Sequence, residues 1–213
     1  RGLTIHPRPD GRHIRTADVF ALSELIQSWN RAGGSAELNV EGYPSEEYLA
    51  VMQQVRPHQC TLVPDPPEAL TSSAGWDFVK NKASLIKIVS TLKDCGCRVS
   101  LFLEPATFTQ EQADALAAIP CDRVELYTEA YADAFEARRL SPTLEHYVRV
   151  AGHVSALGYG MNAGHDLNQQ NLRTLIDAIP AIEEVSIGHA LVCEALLDGF
   201  ETTVRRYVAI LGQ

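Results

Sequence analysis

The sequence predicts an α/β protein, a TIM (β/α)8 barrel with seven βα units visible in the chain, and three observations carry that expectation. Short β-branched or apolar runs alternate with longer helical stretches, the pattern of parallel strands joined by crossover helices. The runs recur at about 30-residue intervals, the length a βα unit needs. Nearly every run ends in a residue capable of chemistry. An open sheet gathers ligands at one switch point, whereas a closed barrel collects groups from many strand ends on one face, so the barrel fits.

Strands are expected to start near Leu3, Ala36, Gln59, Arg98, Arg123, Tyr159 and Glu184. Their C-terminal ends offer, in order, His6, Glu41, Pro64-Asp65, Glu104, Tyr127-Thr128, Asn162 followed by His165, and Gly188-His189. Between them, Leu85, Ile88, Val89 and Leu92 recur at i, i+3, i+4 and i+7, which predicts a helix over Asp77 to Cys95 with Lys80, Lys82, Lys87 and Lys93 in water. Thr109 with Gln112 reads as a capping box, and Ser141-Pro142 as a cap and first-position proline before Leu144 to Leu157. Gly96 and Gly158 read as helix stops. No linker interrupts the series, so the expectation is a single domain over residues 1–213. Its strand count is one short at the N-terminal side, and the first βα unit is read as missing.

A chain of 213 residues, 46% hydrophobic and 21% charged, is long enough for one globular core. With 18 Lys+Arg against 27 Asp+Glu the formal charge is -9, so neither nucleic acid nor a membrane surface is an expected partner. No apolar run approaches the roughly 18 residues of a membrane span and no signal-peptide core opens the chain, which reads as cytoplasmic. The five cysteines form no CxxC pair and read as reduced thiols rather than a zinc site or disulfide framework, and no metal site is expected. GxSxG, HExxH and P-loop motifs are absent, which leaves serine-hydrolase, zinc-protease and nucleoside-triphosphatase chemistry without support.

The loop His6-Pro7-Arg8-Pro9-Asp10-Gly11-Arg12-His13 suits an anion, because arginine presents a planar fork to phosphate oxygens and an imidazole moves protons near neutral pH. The plainer reading is a solvated basic loop. Period-2 alternation puts Asn39 and Glu41 on one face and Leu38 and Val40 on the other. A Glu41 turned into a barrel mouth is either a general base whose pKa burial raises or an ion-paired structural carboxylate. Glu125 is read as an orienting group. His165, after Gly164, is a proton-donor candidate, or else ties its loop to a backbone carbonyl. Gly188-His189 opens the last helix, where amide N–H groups and the dipole favour an anion; otherwise it is a plain glycine turn. The loop from Pro64 to Gly75, with Thr71-Ser72-Ser73, reads as either a lid or an ordinary solvent loop.

The segments Ile5-His6-Pro7-Arg8-Pro9-Asp10, Asn39-Val40-Glu41-Gly42-Tyr43-Pro44, Leu70-Thr71-Ser72, Val124-Glu125-Leu126-Tyr127-Thr128, Asn162-Ala163-Gly164-His165 and Ser186-Ile187-Gly188-His189-Ala190 resemble, in the same order across the whole chain, the pyridoxine 5′-phosphate synthase family. That resemblance implies a transferase that condenses 1-deoxy-D-xylulose 5-phosphate with 3-amino-2-oxopropyl phosphate, releases phosphate and water, and needs no metal or organic cofactor. It implies proton-acceptor roles for His6 and Glu41 and a donor role for His165. Arg8, His13 and Thr71 match the groups that hold the deoxyxylulose phosphate, and Gly188 and His189 those that hold the aminoketone phosphate. Asp166, where some members carry glycine, matches a substrate-binding position. The family also implies a homo-oligomer, an octamer. Two other readings keep the phosphate chemistry: another phosphosugar-processing TIM-barrel enzyme, and a non-catalytic phosphometabolite binder.

Overall fold

The computed structural model describes residues 2–64 and 74–212. Its seven strands follow one another in sheet order β1 to β7, the α/β architecture of the TIM class. The chain divides into two compact units, Arg1–Leu103 with Thr109–Arg123, and Glu104–Phe108 with Val124–Gln213.

In the first unit β1 (Gly2–Ile5), β2 (Glu37–Gly42), β3 (Gln59–Leu62) and β4 (Arg98–Leu103) alternate with α1 (Thr16–Arg31), α2 (Glu46–Val55) and α3 (Phe78–Asp94), and α4 (Gln110–Leu116) follows. Neighbouring strands pair in parallel, Ile5 beside Val40, Val40 beside Cys60 and Cys60 beside Val99. The expected alternation in β2 holds. Asn39 bonds Thr4 and Thr61 on one face, through its Nδ2 to Thr4 Oγ1 at 3.3 Å and from Thr61 Oγ1 to its Oδ1 at 3.1 Å, while Leu38 and Val40 are buried. The α3 stripe packs as expected through Leu85, Val89 and Leu92, with Ile88 half-buried.

The second unit holds a 3-10 turn (Pro105–Thr107), all but the first residue of β5 (Arg123–Tyr127), α5 (Glu129–Glu136), α6 (Leu140–Ala156), β6 (Gly160–Gly164), α7 (Leu172–Ala178), β7 (Ile182–Ser186), α8 (His189–Asp198) and α9 (Phe200–Ile210). Strands β6 and β7 pair in parallel, with a register shift at Met161/Asn162. β7 starts two residues before the expected Glu184.

Helix ends divide into those set locally and those set by tertiary partners. Gly96 and Gly158 stop α3 and α6 with φ of +85° and +83°, values that glycine adopts without steric cost. Ser141 is not the cap of α6: it lies inside the helix and its hydroxyl donates to Glu145 Oε1 at 2.8 Å, while Pro142 sits in the first turn, where its missing N–H leaves no bond unmade. Only half of the capping box forms. Thr109 Oγ1 accepts from Gln112 N at 3.3 Å, but the Gln112 side chain turns to α3 and accepts from Phe78 N at 2.7 Å. The five cysteines carry free thiols. Among the described residues no helix is long and apolar enough to cross a membrane.

Candidate active site

Register brings the first two candidate residues together. Ile5 pairs with Val40, so the next residues, His6 and Glu41, stand side by side at the C-terminal ends of β1 and β2. His6 Nδ1 lies 3.0 Å from Glu41 Oε1, with side-chain exposures of 23% and 10%. An imidazole that donates its Nδ1–H to a carboxylate carries its lone pair on Nε2 and is fixed in tautomer and direction, so the pair can take up a proton and stabilise the resulting cation.

The loop after His6 is held by its own groups. Gly11 N donates to Arg8 O at 2.8 Å, and Arg12 ion-pairs with Asp10 at 2.9 Å. Ile14 N donates to Arg12 O at 2.8 Å across a three-residue turn that sets His13 at φ +64°. Arg8 is half-buried and His13 exposed. The Asp10 carboxylate thus balances one of the loop's two arginines. Thr71 and most of the expected lid loop lie outside the described residues.

In the second unit Glu125 is buried in β5, and its carboxylate occupies the space a side chain at Gly164 would need. Gly164 therefore serves Glu125, a role that sequence position alone did not assign. His165 and Asp166 follow at φ +82° and +56°. Successive left-handed residues with side chains cost on the order of 1–3 kcal/mol each and persist only where their surroundings determine them. The His165 ring stands edge-on to Tyr127, with centroids 4.9 Å apart and planes at 70°. Tyr127 donates its hydroxyl to Glu129 Oε2 at 2.5 Å, and burial together with that bond pushes its pKa well up, so it stays protonated. Beside it, burial raises the half-buried Glu104 carboxyl, whose Oε1 accepts from Ala106 N at 3.0 Å.

Gly188 is the residue before α8, and His189 is that helix's first residue. Gly188 has φ -109°, which any residue adopts, and a Cβ there would meet open space. Among the described residues neither backbone conformation nor packing demands a glycine there, and Gly188 as cap residue offers the α8 amides no side-chain acceptor of its own. Amides at a helix start are suited to phosphate oxygens. Sequence reasoning placed Thr128 at a strand end without giving it a role and did not single out Asn171 or Glu129; the hydrogen bonds of these three hold the His165 segment and its neighbour Tyr127, through partners that spacing along the chain does not reveal.

With this geometry in place, comparison adds the kinship. The chain matches the family described as "Pyridoxal phosphate biosynthesis protein PdxJ" over residues 1–213. A curated pyridoxine 5′-phosphate synthase of Cytophaga hutchinsonii is 44% identical over 207 residues, covering 97% of this chain and 82% of the relative. That of Brucella anthropi is 46% identical over 212 residues, covering 99% and 84%. Among solved structures, the tryptophan synthase complex from Pyrococcus furiosus superposes with a TM-score of 0.62 at 11% identity, over 94% of this chain and 75% of the other. Phosphoribosylanthranilate isomerase from Thermotoga maritima gives 0.53 at 13%, over 96% and 86%. At such identities these two structures speak for the fold alone.

Proposed function

The chain belongs to the PdxJ family of pyridoxal phosphate biosynthesis proteins, and from that premise we propose that it condenses 1-deoxy-D-xylulose 5-phosphate with 3-amino-2-oxopropyl phosphate to pyridoxine 5′-phosphate, releasing inorganic phosphate and water. The observation that carries the reading is the contact between His6 and Glu41 at the ends of adjacent strands. The substrate amine adds to the sugar ketone, and the resulting imine loses water and phosphate through proton transfers before the ring closes. His6 and Glu41 take protons, Glu41 also fixing the imidazole. His165 gives a proton to a leaving oxygen, and Glu125 orients. Arg8, His13 and Thr71 hold the deoxyxylulose phosphate, and Asp166 contributes to substrate binding from the turn after His165. Gly188 and His189, at the start of α8, hold the aminoketone phosphate.

The same reading makes the protein a cytoplasmic homo-oligomer, the octamer the family resemblance implies. Leu196 and Leu197, 82% and 89% exposed on α8, support association.

The test is direct: both substrates are supplied, and pyridoxine 5′-phosphate and released phosphate are followed together. A positioned base contributes about 10²- to 10⁴-fold, so Glu41→Gln is expected to lower kcat by a factor in that range with little change in substrate binding. Unchanged turnover in that variant removes Glu41 from the chemistry. No product from the unaltered protein, with both substrates bound, turns the assignment to a binder.

A further inference from the structure

We propose that Thr128 is the positioning residue for the His165 imidazole, its buried hydroxyl holding the 164–166 backbone in the turn that aims the ring; the proposal rests on the reading of His165 as proton donor. The observation behind it is an irregular use of a threonine. Thr128 is the residue before α5, where a threonine hydroxyl ordinarily accepts from an amide of the first helical turn, yet here it makes no such bond. Its Oγ1 donates instead to Gly164 O at 2.6 Å and is in hydrogen-bond contact with His165 O, while its N–H donates to Gly164 O at 2.9 Å. In an extended strand successive carbonyls point to opposite edges, so one hydroxyl reaches two in a row only where the chain turns. The turn is the left-handed pair, His165 at φ +82° and Asp166 at φ +56°.

A second clamp closes the other end of the turn. Asn171 Nδ2 donates to Asp166 O at 3.0 Å and Asn171 Oδ1 accepts from Asn168 N at 2.9 Å, while Asn171 O accepts from Tyr131 at 2.6 Å. Thr128 and Asn171 are both 0% exposed, so water does not compete for these bonds. The ring itself is placed by the residue before Thr128. Tyr127 meets it edge-on and is anchored twice, by its hydroxyl on Glu129 and by its carbonyl, which accepts from Tyr147 at 2.6 Å. Residues 127 and 128 therefore set, respectively, the wall the imidazole leans on and the direction from which it leaves the backbone.

The experiment compares Thr128→Val, which keeps the shape and removes the donor, with Thr128→Ser, which keeps the donor. A displacement of about 1 Å at a reacting group costs on the order of 100-fold in rate, so the valine variant is expected to lose about 10- to 100-fold in kcat with KM for both substrates unchanged. The serine variant is expected to regain most of that loss. In parallel, the His165 ring signals in nuclear magnetic resonance spectra should move in the valine variant and stay in place in the serine variant. Wild-type kcat with unmoved ring signals in Thr128→Val overturns the proposal, as does equal impairment of both variants. If the valine variant does not fold, Thr128→Ala, which removes the hydroxyl without pressing a methyl group against the two carbonyls, carries the same comparison. Turnover that survives His165→Gln overturns the donor reading alone, since the ring signals report the hold of Thr128 on the imidazole without any catalysis.

Discussion

Gly164 lacks a side chain because the Glu125 carboxylate stands where one would go. The far end of a glutamate usually swings aside, but this one is 1% exposed and has no solvent to swing into. Gly164→Ala is therefore expected to destabilise by about 1–3 kcal/mol, the usual cost of overpacking, read as a lower urea midpoint. Adding Glu125→Ala removes the obstruction, so the double variant should recover part of the loss, a coupling of at least about 0.5 kcal/mol in a double-mutant cycle. Strictly additive effects would place the two residues out of contact. The sequence does not reveal what approaches Gly164, because Glu125 lies on another strand. It was equally silent on His13, His165 and Asp166, whose left-handed backbones are imposed by hydrogen bonds and not by residue type.

Helices repeat this division between local and tertiary control. Asp77 caps α3 by accepting from Lys80 N at 3.0 Å and also accepts from Gln112 Nε2 at 3.1 Å, so the α4 residue expected to close its own box serves the start of a different helix. Removing a cap of this kind costs about 1 kcal/mol. Asp77→Ala should show that loss in a urea melt, and Gln112→Ala should show one of similar size with α4 still capped by Thr109. A Gln112→Ala protein as stable as the parent would confine its bonds to the surface. Glycine stops and the Leu85, Val89 and Leu92 stripe were legible because they depend on backbone sterics and period alone. The start of α6 was misplaced because Ser141 found a side-chain acceptor in Glu145 instead of capping.

Across the whole molecule, the order of the strands was readable from the spacing of apolar runs, and the side-by-side placement of His6 and Glu41 then follows from register. Ion pairs that tie distant segments are invisible to spacing, and one of them sets how the protein responds to acid. Glu37, Gln59 and Arg98 are the first residues of β2, β3 and β4. Arg98 ion-pairs with Glu37, and its Nε donates to Gln59 Oε1 at 2.7 Å. The Arg98 hydrogen bond holds the Glu37 carboxyl below its ordinary 4.5. A folded-state pKa below the unfolded one means the unfolded chain binds the proton more tightly, so the pair's contribution is complete above the ordinary value and fades as pH falls through the folded one. Both side chains are partly exposed, at 26% and 47%, and screening limits the contribution to about 1 kcal/mol or less. Glu37→Gln should therefore be less stable than the parent near neutral pH. The gap should narrow as the pH drops below about 4, where the parent's own carboxylate takes up its proton. Urea midpoints of the two proteins at neutral and acid pH measure that gap, and a difference independent of pH would exclude the Glu37 charge as its source.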